Sequence, residues 1–269
     1  MSPDAAADGG GVLAVFAHPD DESLACGGLL ARCAADGVPG TVLCLTRGAG
    51  VPADPERAAT RTRELGAAAA VLGLTEVILL DYRDGYLPWE DAAAVEGDVA
   101  QSIRRLRPEA VVTFDDDGLY WHPDHVAVHE RTTAAVAALG PDAPALYYVT
   151  MPSGAVRALV EAVSARMAGH SPPLGTAERS PIHVLGIDQP DAFGADAKHA
   201  THVLDVRSVA ARKMAALRCH ASQIADGTLA LATDEDAARF LGIELYRRAG
   251  VGASHTTLLD RLAARSSGS

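Results

Sequence analysis

The chain has 269 residues, of which 48% are hydrophobic, and carries a formal net charge of −12 with only two lysines, Lys198 and Lys213. A chain of this length can bury a large core, while its acidic balance and the lack of any basic run argue against nucleic acid or an anionic membrane as a partner. No apolar stretch reaches the roughly 18 residues of a membrane span, and residues 1–11 lack the basic start and apolar run of a secretory signal, so the protein is expected in the cytoplasm.

Residues 12–17 are a short apolar run ending in polar residues, and a helical stretch follows over 23–35, the strand-then-helix opening of an α/β fold. The unit recurs. Residues 41–46 read as a strand, and 55–72 as a helix with Leu65, Ala68, Ala69 and Leu72 on one face. Strands follow at 76–81 and 110–114, separated by a helix at 92–106; a helix at 126–139 and a strand at 146–151 complete the series. This alternation predicts a Rossmann-like α/β fold, a mostly parallel sheet with helices on both faces and ligands at the carboxyl ends of its strands. From Pro152 the pattern loosens into one helix, a Pro/Gly-rich stretch at 169–181, and two strands at 183–187 and 202–206 that would pair as a β-hairpin in a small C-terminal cap. A helix at 208–220 follows, and 221–250 fits no single period. The chain therefore reads as one domain over 1–269, with an α/β core at 1–151 and a cap and specificity region at 152–269.

His18, Asp20 and Asp21 follow the first strand directly, where a doubly wound fold opens its crevice. A dinucleotide site would put a Gly-x-Gly-x-x-Gly turn there, whereas two carboxylates would repel phosphate. Gly27 and Gly28 fall inside the helix, where they permit close packing instead. Adjacent residues project differently, so one of Asp20 and Asp21 can ligate a metal beside His18 while the other takes a proton from metal-bound water. A solvated acidic turn capped by Asp and Ser23 is the bland alternative.

The second cluster tips the balance. His122 and His125 are three apart with Pro123 at a helix start, so both face one way on the first turn. They follow 114–118, Phe-Asp-Asp-Asp-Gly, at the end of the fourth strand, and so return to the same sheet edge as His18. Together the clusters offer a His, Asp, His set with open metal positions, although spacing alone does not separate His122 from His125. Asp115 is a candidate to orient a ligand histidine, or part of a solvated loop. Cys26, Cys33, Cys44 and Cys219 have no Cys-x-x-Cys spacing and suggest neither a zinc knuckle nor a redox dithiol.

The run Ala-His-Pro-Asp-Asp-Glu at 17–22 and His-Pro-Asp-His at 122–125 resemble the two signatures of the PIG-L/LmbE family of zinc-dependent N-deacetylases. The likeness extends to the Arg…Glu-Leu…Leu-Gly helix beginning at Arg61 and to His-Ala-Ser-Gln at 220–223, and is weakest over 152–200. It implies that His18, Asp21 and His125 hold Zn2+, or Fe2+ or another divalent metal in vivo. It also implies that Asp20 is the general base and that His122 stabilises the oxyanion or protonates the leaving amine. Arg61, Asp84 and Tyr120 resemble residues that contact substrate in the family, with Arg57 and Arg63 as alternatives to Arg61. The function implied is removal of an N-acetyl group from an N-acetylglucosamine-type sugar in a small glycoside or natural-product precursor. Three other functions stay open: an amidase for a larger thiol-conjugate amide, a 2-His-1-carboxylate iron oxygenase, and a non-catalytic sugar-binding relative.

Overall fold

A computed structural model describes residues 10–168, 183–225 and 227–266; the Pro/Gly-rich stretch at 169–181 lies outside them. Seven strands form one sheet among the described residues: β1 (Val12–Phe16), β2 (Gly40–Thr46), β3 (Glu76–Tyr82), β4 (Ala110–Phe114), β5 (Ala145–Thr150), β6 (His202–Asp205) and β7 (Ile243–Gly252). Their order is β3-β2-β1-β4-β5-β7-β6. The pairings among β1 to β5 are all parallel, and β7 pairs antiparallel with both β5 and β6. Every residue of β1, β2, β4 and β5 is buried, so both faces of the sheet are covered, which is why these strands are continuous apolar runs.

Helices α1 (Asp21–Ala35), α2 (Pro55–Leu72), α3 (Ala92–Leu106), α4 (Gly118–Trp121), α5 (Pro123–Ala138) and α6 (Ala155–Ala168) alternate with the strands. After β6 come α7 (Ala210–Cys219), α8 (Ala221–Ile224), α9 (Thr228–Leu231), α10 (Asp234–Phe240) and, after β7, α11 (Leu258–Ser266). Helices α1, α2 and α7 pack on one another, as do α3 and α5, giving the two layers around the sheet. No helix among the described residues is long and apolar enough to cross a membrane.

Two features depart from the pattern expected of the sequence. Residues 183–187 make one isolated bridge, Val184 to Ile187, and not a strand. The predicted hairpin is replaced by β6 pairing with β7, which extends the main sheet past β5. The strand β7 escaped the periodic reading because Arg247 and Arg248 interrupt it, and both arginines are satisfied by carboxylates, Asp115 and Asp260.

Helix α1 is broken at Cys26 (φ −134°, ψ 21°). Among the amides near the break, Gly28 and Leu29 donate to Glu244 at 2.7 and 2.9 Å, and Lys213 Nζ and Tyr246 Oη complete the carboxylate's shell at 2.8 and 2.7 Å. Gly28 is needed here: a Cβ would lie 2.5 Å from Val206 Cβ and 2.7 Å from Glu244 Oε1. The close packing expected of Gly27 and Gly28 is thus realised, with a buried ion pair as its counterpart. The first turn of α1, which carries Asp21 and Glu22, is fixed in direction by this break.

Candidate metal centre

The chain runs from β1 to β2 on one side while β4 lies on the other, so the crevice between the carboxyl ends of β1 and β4 is a topological switch point. His18 to Asp20 occupy the end of β1, and α5 brings His122 and His125 to the end of β4. Asp84 arrives from the loop after β3. Both motifs therefore converge as expected.

His18 Nδ1 lies 3.1 Å from His125 Nε2 and 3.6 Å from Asp21 Oδ2, and Asp21 Oδ1 lies 3.3 Å from His125 Nε2. Donors bound at about 2.0–2.2 Å to a tetrahedral ion sit roughly 3.3 Å apart, so this triangle fits a divalent cation. A second grouping, His18, His122 and His125, also brings one ring nitrogen from each residue within 4.8 Å of the others. The Asp21 set is tighter, and His122 Nδ1 is engaged by the Asp124 amide at 3.2 Å, where it caps α5.

Each histidine of the triangle is oriented through its other nitrogen. His18 Nε2 faces Asp84 Oδ1 and Asp124 Oδ2, both at 3.1 Å, which fixes a proton there and turns the Nδ1 lone pair into the triangle. Asp124 is itself held by the Gly85 and Leu87 amides at 2.7 and 3.0 Å, and Asp84 by the Gly50 amide at 2.6 Å. His125 Nδ1 donates to the Gly118 carbonyl at 3.0 Å, and its ring stacks on Phe114 with centroids 4.0 Å apart. A Cβ at Gly118 (φ +55°) would lie 2.9 Å from His125 Cβ, so only glycine lets that carbonyl approach. Asp115 does not orient a ligand histidine. It pairs with Arg247 across the β4–β5–β7 edge, and the backbone carbonyl of Gly118 does that work instead.

The charges agree with this arrangement. Burial opposes ionisation of Asp21, but the His125 and His18 rings hold it down at about 2. Burial pushes His125 down to about 3, leaving a neutral imidazole suited to a metal. For His18, burial opposes protonation, and its bonds to Asp124, Asp21 and Asp84 outweigh that and raise it well above the usual value. A cation in the triangle would replace the Nδ1 proton. Burial lowers His122 as well.

Asp20 is raised to about 7 by burial, with Arg61 pulling it back and Asp21 adding to the rise. Its backbone sits at φ 120°, a region that costs a non-glycine residue about 1–3 kcal/mol and persists only when neighbours over-determine it. The neighbours are Arg61 Nη2, which donates to Asp20 Oδ2 at 2.9 Å and to the Pro19 carbonyl at 2.6 Å, and Glu22 Oε2, which accepts the Asp20 amide at 3.0 Å. Glu22 Oε1 accepts from Ser23 Oγ at 2.6 Å and from His220 Nε2 at 2.9 Å. His220, 198 residues from Glu22 in sequence and fully buried, thereby braces Asp20 through Glu22.

Of the residues expected to meet substrate, Arg61 holds Asp20 through Nη2 while its buried Nε has no hydrogen-bond partner, and Asp84 faces His18 with one oxygen and the Gly50 amide with the other. Tyr120 is half-buried, with its ring 5.0 Å from His125 and 4.8 Å from Phe193. Arg57 and Arg63 lie on the exposed side of α2, so Arg61 is the arginine that faces the site. Glu22, Asp124 and Gly118 were not singled out by the sequence, although the first two sit inside the motifs. A concavity of about 820 Å3 lined by Arg104, Pro108, Leu139 and Pro144 lies near the amino ends of β4 and β5, away from this centre.

The PIG-L family, described as GlcNAc-PI de-N-acetylase, matches residues 13–136. A curated relative from Acidothermus cellulolyticus, 1D-myo-inositol 2-acetamido-2-deoxy-alpha-D-glucopyranoside deacetylase, is 32% identical over 265 residues, covering 87% of each chain. Among solved structures, N,N'-diacetylchitobiose deacetylase from Pyrococcus horikoshii is similar with a TM-score of 0.59 at 21% identity, covering 90% of this chain and 84% of that one. GalB, the 4-carboxy-2-hydroxymuconate hydratase from Pseudomonas putida, has a TM-score of 0.60 at 19% identity, covering 92% and 99%. These two structural likenesses speak to the fold alone. With a relative of that identity spanning nearly its whole length, the chain belongs to the PIG-L family of de-N-acetylases.

Proposed function

We propose that this protein is a zinc-dependent hydrolase that removes the acetyl group from an N-acetylglucosamine-type sugar in a small glycoside or natural-product precursor. The observation that carries this is the His18–Asp21–His125 triangle beside a carboxylate, Asp20, raised to about 7. The acetamido sugar named for the curated relative supports the substrate class.

When bound, the cation polarises the amide carbonyl and acidifies the attacking water. Asp20 takes a proton from that water, its raised carboxyl matching base strength to neutral pH. His122 accepts the Asp124 amide at Nδ1, so as a neutral ring it carries its proton on Nε2 and, keeping that proton, offers a hydrogen bond to the oxyanion that develops on the amide carbonyl. The proton held by Asp20 is then available to the leaving amine as the carbon–nitrogen bond breaks. Acetate and a free amine result. Arg61 and Asp84 keep Asp20 and His18 in register while the sugar docks beside Tyr120.

In this reading residues 1–269 act as one domain, with the chemistry in 1–151 and with 152–269 adding to the specificity that loops of the core supply. The four cysteines are free thiols, which supports a reducing compartment such as the cytoplasm.

Metal analysis with an acetate-release assay on N-acetylglucosamine glycosides tests the assignment. Asp20→Asn keeps zinc and loses most turnover, whereas His125→Ala loses the metal. Full activity in either variant would overturn it.

A further inference from the structure

Seven large hydrophobic side chains are exposed among the described residues, and four of them, Val51, Tyr86, Trp89 and Trp121, lie on segments that also carry residues bonded to the metal centre or belonging to it. They include both tryptophans of a chain that is only 4% aromatic. Trp89 and Trp121 are 69% and 70% exposed, and Val51 is 62% exposed. Each sits on the segment that follows the carboxyl end of β2, β3 or β4, Trp121 at the end of α4.

These segments are tied to the centre and to each other. Asp124, bonded to His18, accepts the amides of Gly85 and Leu87 and so fixes the segment bearing Tyr86 and Trp89. Val51 lies against Gly85, its Cγ2 2.9 Å from where a Cβ would stand. Tyr86 and Trp89 meet edge to face with centroids 5.9 Å apart. Trp121 directly precedes His122 and is held at φ +65°, after Leu119 at φ +70°. That conformation is costly for large residues and is not repaid by burying the indole. Arg83 beside this group is paired with Glu90 and lies over the Tyr86 ring.

We propose that Val51, Tyr86, Trp89 and Trp121 form an apolar rim that receives the aglycone of the substrate, and that this aglycone presents a flat apolar or aromatic surface and not solely hydroxyl groups. The proposal rests on the deacetylase reading and adds the chemistry of the group attached to the sugar. A polyol aglycone would find hydrogen-bonding groups only at the ring edges, the two indole N–H donors and the Tyr86 hydroxyl, whereas an aryl or alkyl group would cover the exposed ring faces and the Val51 side chain.

The experiment uses the zinc-loaded full-length protein with phenyl and methyl 2-acetamido-2-deoxyglucopyranosides, which share the sugar and differ in aglycone. The expected result is a higher kcat/KM for the phenyl glycoside, with the phenyl-to-methyl ratio falling about tenfold, equivalent to about 1.4 kcal/mol, in both Trp89→Ala and Trp121→Ala. Titration of the corresponding phenyl glucosaminide against intrinsic tryptophan fluorescence gives a readout independent of turnover, since both indoles lie in the rim. Quenching should saturate with the phenyl compound and not with the methyl one. An unchanged ratio in both variants, or no preference and no quenching in the parent protein, overturns the proposal. So does a change in sedimentation without a change in ratio, which would make the rim a contact between copies of the chain. Acetate release from neither glycoside would instead refute the deacetylase reading, and the fluorescence titration would still decide the rim.

Discussion

Arg61→Met should move the acid limb of the pH–rate profile toward alkaline pH. Arg61 Nη2 and Asp20 Oδ2 are 2.9 Å apart and both side chains are buried, so the guanidinium stabilises the ionised carboxylate and no other form of it. Taking roughly 4 Å between charge centres and an effective dielectric of about 20, the attraction is on the order of 4 kcal/mol. At about 1.4 kcal/mol per pKa unit this is an upper bound near 3 units. His220 and His18 also favour the anion, and the site relaxes when the cation leaves, so a rise of about 1–2 units above the present value is expected. In the proposed mechanism Asp20 works as its anion, so a higher pKa means less active enzyme at neutrality. kcat/KM should fall about 5- to 50-fold at neutral pH, where half of the parent's Asp20 is ionised, and recover toward alkaline pH. Zinc content should stay that of the parent protein. A limb that does not move, or a loss of rate equal at every pH, would refute the coupling of Arg61 to Asp20.

Three further outcomes are expected. Glu22→Gln sets an amide donor against one of the three donors now facing that carboxylate, which releases the φ 120° conformation of Asp20; kcat should fall by more than about tenfold while zinc stoichiometry holds, and a parent-like kcat would show that Glu22 does not brace the base. Lys213→Met strips the cation from a fully buried Glu244 that keeps its amide and tyrosine donors, so a loss of about 2–4 kcal/mol is expected in urea unfolding, somewhat below the cost of leaving a buried charge wholly unpaired. Gly28→Ala drives a methyl into Val206 and Glu244 and should destabilise by about 1–3 kcal/mol or more by the same measurement; an unchanged midpoint would refute the close packing of α1 there.

The sequence alone determined the strands and helices from β1 to β5, because central strands covered on both faces are apolar runs and the intervening helices carry a 3.6-residue stripe. It also determined that two His/Asp clusters reach one sheet edge, because motif and strand end are adjacent in the chain. It could not reveal β7, where paired arginines break the alternation, nor that β6 would choose β7 over residues 183–187, since strand partners are set by which edge of the sheet is free. Asp115 looked like an orienting carboxylate from its place beside the motif, but Arg247, 132 residues away, claims it. Tertiary structure alone decided how the catalytic carboxylate is tuned. Its burial, its contact with Arg61, and the brace from His220 through Glu22 join residues up to 198 positions apart, and a pKa responds to distance in space, which residue order does not encode.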